Sequence, residues 1–82
     1  MLIYTQSRKT LINSNHVSYF DVDLIGDGSS NSVYANFEND APICIGTFIT
    51  KEEACNVLDK IAEVEGAINV FYVSKEDCDE NN

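Results

Sequence analysis

The feature that most constrains the fold is a change of hydrophobic period at Thr50. Before this residue, segments 17–25 and 32–38 each alternate between apolar and polar side chains. Such alternation, with a period of two residues, is typical of β-strands that have one solvent-exposed face. Beyond it, apolar side chains recur at helical spacing, at Ala54, Val57, Leu58 and Ile61. The chain therefore combines β-strands with an α-helix.

The helix has recognisable start and stop signals. The stretch Thr50-Lys-Glu-Glu is a capping box, in which the threonine accepts from the third helical amide and Glu53 reaches back to the amide of Thr50. Gly66 is a plausible C-terminal stop because glycine adopts the left-handed conformation without steric cost. We predict a helix over about 51–65.

Short apolar runs bounded by turn residues supply the strands. They are predicted at 2–5, 10–12, 17–25, 32–38, 43–49 and 68–73. We expect an α+β fold, with an antiparallel meander of about four strands and the helix on its apolar face. The final strand, 68–73, is expected to pair with the first strand or to lie at an edge. Residues 1–74 are predicted to form a single domain and residues 75–82 an acidic, flexible tail.

Targeting signals and cysteine usage bear on the compartment. Residues 1–9 have no basic region before their short apolar run, so we expect no signal peptide. No segment approaches the roughly 20 apolar residues that cross a bilayer. The cysteines, Cys44, Cys55 and Cys78, are odd in number and lack paired spacing, which favours a reducing cytosol. We therefore expect a cytoplasmic protein without disulfides.

Charge is the unusual feature of the composition. The chain has fourteen acidic residues and five basic ones, for a net charge of −9. Such a surface repels nucleic acids and anionic membranes and favours a protein partner with a basic surface. The alternative is that the acidic surface simply keeps a small protein soluble.

The stretch Asp21–Ser30 invites comparison with a calcium-binding loop. Asp21 and Asp23 stand at positions 1 and 3 of such a loop and Gly26 at position 6. Position 5 is Ile25 and position 12 is Ser32, so two oxygen ligands are missing. The preceding segment also alternates as a strand does, whereas a helix should enter the loop. We interpret the stretch as an acidic strand followed by a glycine turn at Gly26 and Gly28.

Signs of catalysis are missing from the sequence. His16 is the only histidine and lies in a polar turn, so neither a histidine metal site nor a dyad is available. No Cys-x-x-Cys pair points to zinc, and the Gly-Asp-Gly stretch precedes no helix that would hold a phosphate. We predict a protein that is not an enzyme and that has no cofactor or metal.

One constellation suggests a binding face. If the segments at 17–25 and 32–38 form a hairpin, its wet face gathers Tyr19, Asp21, Asp23, Tyr34, Asn36 and Glu38. Acids at alternate strand positions are about 6–7 Å apart. Phosphates along one DNA strand have a similar spacing, so the face could dock on a basic groove as a mimic of nucleic acid. The alternative is an ordinary solvated sheet face.

The segments "IYTQSRKTLINSNHV" and "TKEEACNVLDKIAEVEGAINVFYV" resemble a type of small, functionally uncharacterised protein from Gram-positive bacteria and their phages. The resemblance implies a cytoplasmic protein, often encoded by a mobile element, and it transfers no catalytic residues. Many small acidic phage proteins inhibit host nucleases, anti-CRISPR proteins among them. By analogy of size and charge, the leading hypothesis is an inhibitor that occupies a basic surface of a nucleic-acid-handling protein. The alternative is a self-associating assembly protein, for which a homodimer is expected.

Overall fold

A computed structural model describes residues 1–25 and 30–75 of the protein. The elements follow in the order β1 (Leu2–Tyr4), β2 (Leu11–Asn13), a 3-10 helix (Ser14–His16), β3 (Tyr19–Ile25), β4 (Ser30–Asn36), β5 (Ile43–Phe48), α1 (Lys51–Val64) and β6 (Val70–Tyr72). The predicted glycine turn and nearly all of the predicted acidic tail lie outside the described residues.

The predicted α+β class is confirmed, and the six strands divide between two three-stranded sheets. The predicted meander is the antiparallel sheet β3-β4-β5, which the helix covers on one face. The two short strands at the start form a separate sheet with the last strand, in the order β2-β1-β6. Strand β6 lies at its edge and runs parallel to β1, an arrangement that requires a long connection between the paired strands.

Helix α1 forms where the sequence predicts it. The Thr50 hydroxyl accepts a hydrogen bond from the Glu53 amide at 3.1 Å, and the Glu53 carboxylate accepts from the Thr50 amide at 3.2 Å. This capping box satisfies two amides that otherwise lack a partner in the first turn. Gly66 has a φ of 85°, so the helix ends in a left-handed residue that favours glycine. In the described part of the chain, no helix is both long and apolar enough to cross a membrane.

The core lies between the helix and both sheets. Its buried apolar side chains are Ile3, Ile12, Val33, Ala35, Ile45, Phe48, Ala54, Val57, Ile61 and Val73. The helix contributes a stripe at Ala54, Val57 and Ile61, which repeats every three to four residues. Strand β4 supplies Val33 and Ala35 from its inward face. The two periods seen in the sequence therefore meet in one hydrophobic cluster.

Gln6 joins the two sheets. Its backbone amide donates to the Ile45 carbonyl at 2.8 Å, and its side-chain oxygen accepts from the Thr47 amide at 3.0 Å. Its side-chain nitrogen donates to the carbonyls of Thr47 and Ser74, both at 3.1 Å. One residue thus acts as a short extra strand along β5 and also holds the segment that follows β6.

An irregularity in β5 lies beside the position that Gln6 fills. Val33 pairs with Gly46 and Tyr34 pairs with Cys44, so Ile45 has no partner in β4. An extra residue of this kind is a β-bulge, which disrupts the ladder locally. The Ile45 carbonyl lies on the free edge of β5, where it accepts from the Gln6 amide.

Gly46 provides a second point of close approach between the sheets. A Cβ atom at this position would stand 3.0 Å from Phe48 Cε2 and 3.0 Å from Val73 Cγ1. Any larger residue would therefore push against the core side chains that pack between β5 and the segment after β6.

We expect Gln6→Ala to lower the free energy of unfolding by about 1–3 kcal/mol, because it removes two side-chain hydrogen bonds to Thr47 of the other sheet and one to Ser74. Urea unfolding followed by circular dichroism measures the loss. Lys9→Ala is the matched control in the same turn, since Lys9 is exposed, and its effect should stay within about 0.5 kcal/mol. Equal unfolding midpoints for Gln6→Ala and the wild type would contradict this role of Gln6.

Candidate protein-binding face

The pairing of β3 with β4 determines which predicted site residues share a face. Tyr19 lies opposite Asn36, and Asp21 lies opposite Tyr34. Asp23 is two residues further along β3, so its side chain is on the same face. Five of the six predicted residues therefore occupy one side of the hairpin. Glu38 does not, because β4 ends at Asn36 and Glu38 lies in an exposed bend beyond the sheet.

Exposure on this face decreases from the edge of the sheet toward its centre. Tyr19 is 58 % exposed, and Asp21 and Asp23 are exposed as well. On the central strand, Tyr34 and Asn36 are half-buried. A partner would therefore meet chiefly the side chains of β3, which we call the acidic edge (Tyr19, Asp21 and Asp23).

The acidic edge carries uncompensated charge. The Asn36 side-chain amide donates to the Asp21 carboxylate at 3.0 Å and to the Tyr19 carbonyl at 3.3 Å, which orients Asp21. Within residues 1–25 and 30–75, the ion pair found is Lys60–Glu63, and no base pairs with Asp21 or Asp23. Charged side chains on an edge strand also discourage that edge from pairing with another chain. The same acids therefore suit a solvated edge as well as a binding face.

Asp21 and Asp23 also bear on the calcium alternative. Both lie on a regular strand rather than in a loop entered from a helix. Residues 26–29 of the proposed loop, which include Asp27, lie outside the described residues. Among the residues that are described, no group of three or more His, Cys, Asp or Glu side chains is placed to hold a metal ion.

The structure reveals a second cluster, centred on Arg8, that sequence reasoning missed. Arg8 Nη1 donates to the carbonyls of Thr5 at 2.7 Å, Val73 at 2.9 Å and Tyr4 at 3.4 Å. Its guanidinium carbon lies 5.3 Å from the ring centroid of Tyr4 and 5.4 Å from that of Tyr72. These distances suit cation–π interactions. We call Arg8, Tyr4 and Tyr72 the arginine–tyrosine cluster.

Arg8 holds a backbone conformation that favours glycine. Its φ is 62°, while its amide closes a tight turn by donating to the Thr5 carbonyl at 2.8 Å. A left-handed residue other than glycine costs roughly 1–2 kcal/mol. The three carbonyls that bind Nη1 and the two rings offset this cost.

Little in the sequence pointed to this cluster. Arg8 lies in a polar stretch between the first two predicted strands, and Tyr4 is far from Tyr72 along the chain. The parallel pairing of β1 with β6 places these two tyrosines opposite each other, with ring centroids 5.6 Å apart. A single sequence provides no signal for that pairing.

Cys44 in β5 lies opposite Tyr34 and so borders the predicted face, whereas Cys55 and His16 lie on other elements. Cys44 is exposed, with its sulfur 3.5 Å from the Gly46 carbonyl oxygen and 3.6 Å from the Thr47 hydroxyl. Cys55 is half-buried on the helix, and Cys78 lies outside the described residues. His16 is exposed in the last position of the 3-10 helix, in agreement with its prediction as a surface turn residue.

Comparisons of the chain with protein-family models, with curated proteins and with solved structures returned no match. The chemistry of its own residues is therefore the basis for inferring what the protein does.

We expect Arg8→Lys to lower the free energy of unfolding by about 1–2 kcal/mol, although it preserves the charge. An ammonium group cannot reproduce the planar fork that donates to several carbonyls while it stacks on two rings. Urea unfolding measures the loss, and Lys9→Arg, in the neighbouring exposed position, is the control. If Arg8→Lys proved as stable as the wild type, the cluster would have no specific need for a guanidinium group.

Proposed function

We propose that the protein is a binding module that docks its acidic edge on a basic surface of a nucleic-acid-handling protein and thereby inhibits that protein. The observation that carries the proposal is the exposed row formed by Tyr19, Asp21 and Asp23, without a basic partner among the described residues. In line with the resemblance to phage and bacterial proteins, such an inhibitor would be encoded by a mobile element.

The spacing of the row supports a mimic of nucleic acid. Successive outward positions on a strand are about 6–7 Å apart, similar to phosphates along one DNA strand. The carboxylate of Asp21 is held by Asn36, so less side-chain freedom is lost when a partner arginine binds it. Tyr19 adds a large amphipathic ring beside the acids, and tyrosine is enriched among residues that dominate binding energy.

The overall charge supports a basic partner. At −9, the chain is repelled by nucleic acids and attracted to surfaces rich in Arg and Lys. Proteins that bind DNA or RNA present such surfaces to the phosphate backbone. The acidic edge would compete with nucleic acid for the same groove.

Charge reversal on the acidic edge tests the proposal. We expect Asp21→Lys with Asp23→Lys to weaken binding to an arginine-rich peptide by at least about tenfold, because it removes the carboxylates that a basic partner would contact. The matched control is Glu52→Lys with Asp59→Lys, since both residues are exposed on the helix, which covers the opposite side of this sheet. Both double variants change the net charge equally, so the nonspecific electrostatic attraction to the peptide falls equally in each.

Amide NMR titration with the peptide supplies the readout. Shifts concentrated on β3 and β4, together with a loss of peptide affinity in Asp21→Lys with Asp23→Lys only, would support the acidic edge as the binding site. An equal loss of affinity in both double variants, or shifts centred on α1, would contradict that assignment. The affinity should also fall steeply between low and high salt, because the Debye length shrinks from about 10 Å at 0.1 M to about 3 Å at 1 M.

A second candidate function, self-association, is favoured by the outer face of the sheet β2-β1-β6. Three apolar or aromatic side chains are exposed there: Leu2 at 38 %, Leu11 at 54 % and Tyr72 at 59 %. Exposed apolar patches of this kind mark interaction surfaces when they are contiguous. The pairing registers place Leu11, Tyr4 and Tyr72 in one row across the three strands.

Sedimentation separates the two functions. If the outer face drives assembly, the wild type should sediment as a dimer that resists high salt, and Leu11→Asp should convert it to a monomer because a charge would be buried in the interface. Asp21→Lys should leave that dimer intact. A wild-type monomer at high concentration would contradict self-association.

A further inference from the structure

We propose a second binding site, in which an extended acidic peptide segment of another protein adds to the open edge of β6, in the groove between β6 and α1. This site shares no residue with the acidic edge and does not depend on the function proposed above. Strand addition of this kind gains affinity from main-chain hydrogen bonds and specificity from pockets for alternate side chains.

The backbone of β6 offers hydrogen-bonding groups on its free side. The Asn69 carbonyl accepts from the Leu2 amide at 2.8 Å, and the Val73 amide donates to the Tyr4 carbonyl at 3.0 Å. Because successive peptide groups of a strand point in opposite directions, the amides and carbonyls of Val70 and Tyr72 face away from β1. Outside the strand ladder, no described residue bonds to these groups.

A groove of about 440 Å³ runs along this edge. Phe71 and Tyr72 both line it, although consecutive strand residues point to opposite faces, so the groove must wrap around the edge of the strand. On the other side the helix contributes Val57 and Lys60. Half-buried Phe71 provides apolar surface for an alternate side chain of the peptide, and buried Phe48 lies behind it in the lining.

Charge complementarity favours an acidic occupant. Lys60 and Lys75 line the groove, although the chain has only five basic residues against fourteen acidic ones. Glu53 also lines it, but its carboxylate is engaged by Thr50 in the capping box. Lys60 is 65 % exposed in its pair with Glu63, so a peptide carboxylate can replace that partner at small cost.

The arginine–tyrosine cluster extends the basic character past Tyr72. Arg8 uses Nη1 for backbone carbonyls, while Nε and Nη2 have no hydrogen-bond partner among residues 1–25 and 30–75. These two groups form the edge of a guanidinium that binds a carboxylate with two parallel hydrogen bonds. A peptide that continues beyond Tyr72 would meet this donor pair.

The probe is a short synthetic peptide in which Glu and Val alternate, and its counterpart with Lys in place of Glu is the control ligand. In an amide NMR titration we expect the Glu peptide to shift Val70, Phe71, Tyr72 and the helix residues 56–60, and we expect the Lys peptide to shift none of them. Shifts confined to the outer face of β2-β1-β6, or to the acidic edge, would overturn the proposal.

Two variants make the test specific. Val70→Pro removes a free-edge amide without touching the ladder to β1, and proline is tolerated at such edge positions. We expect at least a tenfold loss of affinity for the Glu peptide, whereas Leu11→Pro, on the opposite edge strand, should bind as the wild type does. The double variant Lys60→Glu with Lys75→Glu should also lower the affinity for the Glu peptide at least tenfold. It alters only exposed side chains, so it still tests the site if Val70→Pro does not fold.

Three results would overturn the proposal. The first is unchanged binding by Lys60→Glu with Lys75→Glu. The second is a set of equal shifts at Val70, Phe71 and Tyr72 with the Glu and Lys peptides. The third is a wild-type dimer that Val70→Pro dissolves, which would identify a second copy of the chain as the occupant of the edge.

Discussion

The two sheets of this protein hold their relative position through Gln6. The chain has few residues with which to build a core, and its first sheet consists of three-residue strands. Strands this short bury little surface and need support from their surroundings. Gln6 supplies it by bonding along the free edge of β5, to the Ile45 carbonyl and to both backbone groups of Thr47. Through Ser74 it also anchors the segment that follows β6.

The groove along β6 depends on this connection more than the acidic edge does. The acidic edge belongs to the sheet β3-β4-β5, whereas the groove along β6 lies between the other sheet and the helix. Arg8, in the same turn as Gln6, bonds within the sheet β2-β1-β6 and ties β1 to the segment that follows β6. Movement of one sheet relative to the other would therefore change the width of the groove before it disturbed the acidic edge.

The edges of the two sheets differ in a way that agrees with different roles. Strand β3 carries Asp21 and Asp23 on an edge, where charge discourages pairing with another strand. Strand β6, with the sequence Val-Phe-Tyr, carries no charge and leaves its backbone edge open beside two lysines. The first edge is suited to side-chain contacts with a basic surface, and the second to main-chain contacts with an extended peptide.

Local features of the sequence predicted the elements well. The capping box at Thr50 and the left-handed Gly66 define the helix through interactions between residues a few positions apart. Strand boundaries were less accurate. The strand predicted at 32–38 spans Ser30–Asn36, and for that reason Glu38 lies off the face to which it was assigned. Alternation alone does not show where a ladder of hydrogen bonds ends, because that depends on the neighbouring strand.

The sequence by itself determined the α+β class, the helix and the shared face of Tyr19, Asp21, Asp23, Tyr34 and Asn36. These follow from periods of 2 and 3.6 residues, which are local properties of the chain. Only the tertiary structure decided the division into two sheets, the parallel pairing of β1 with β6 and the arginine–tyrosine cluster. Periodicity shows which face of a strand is buried but does not identify its partner, and these contacts join the two ends of the chain.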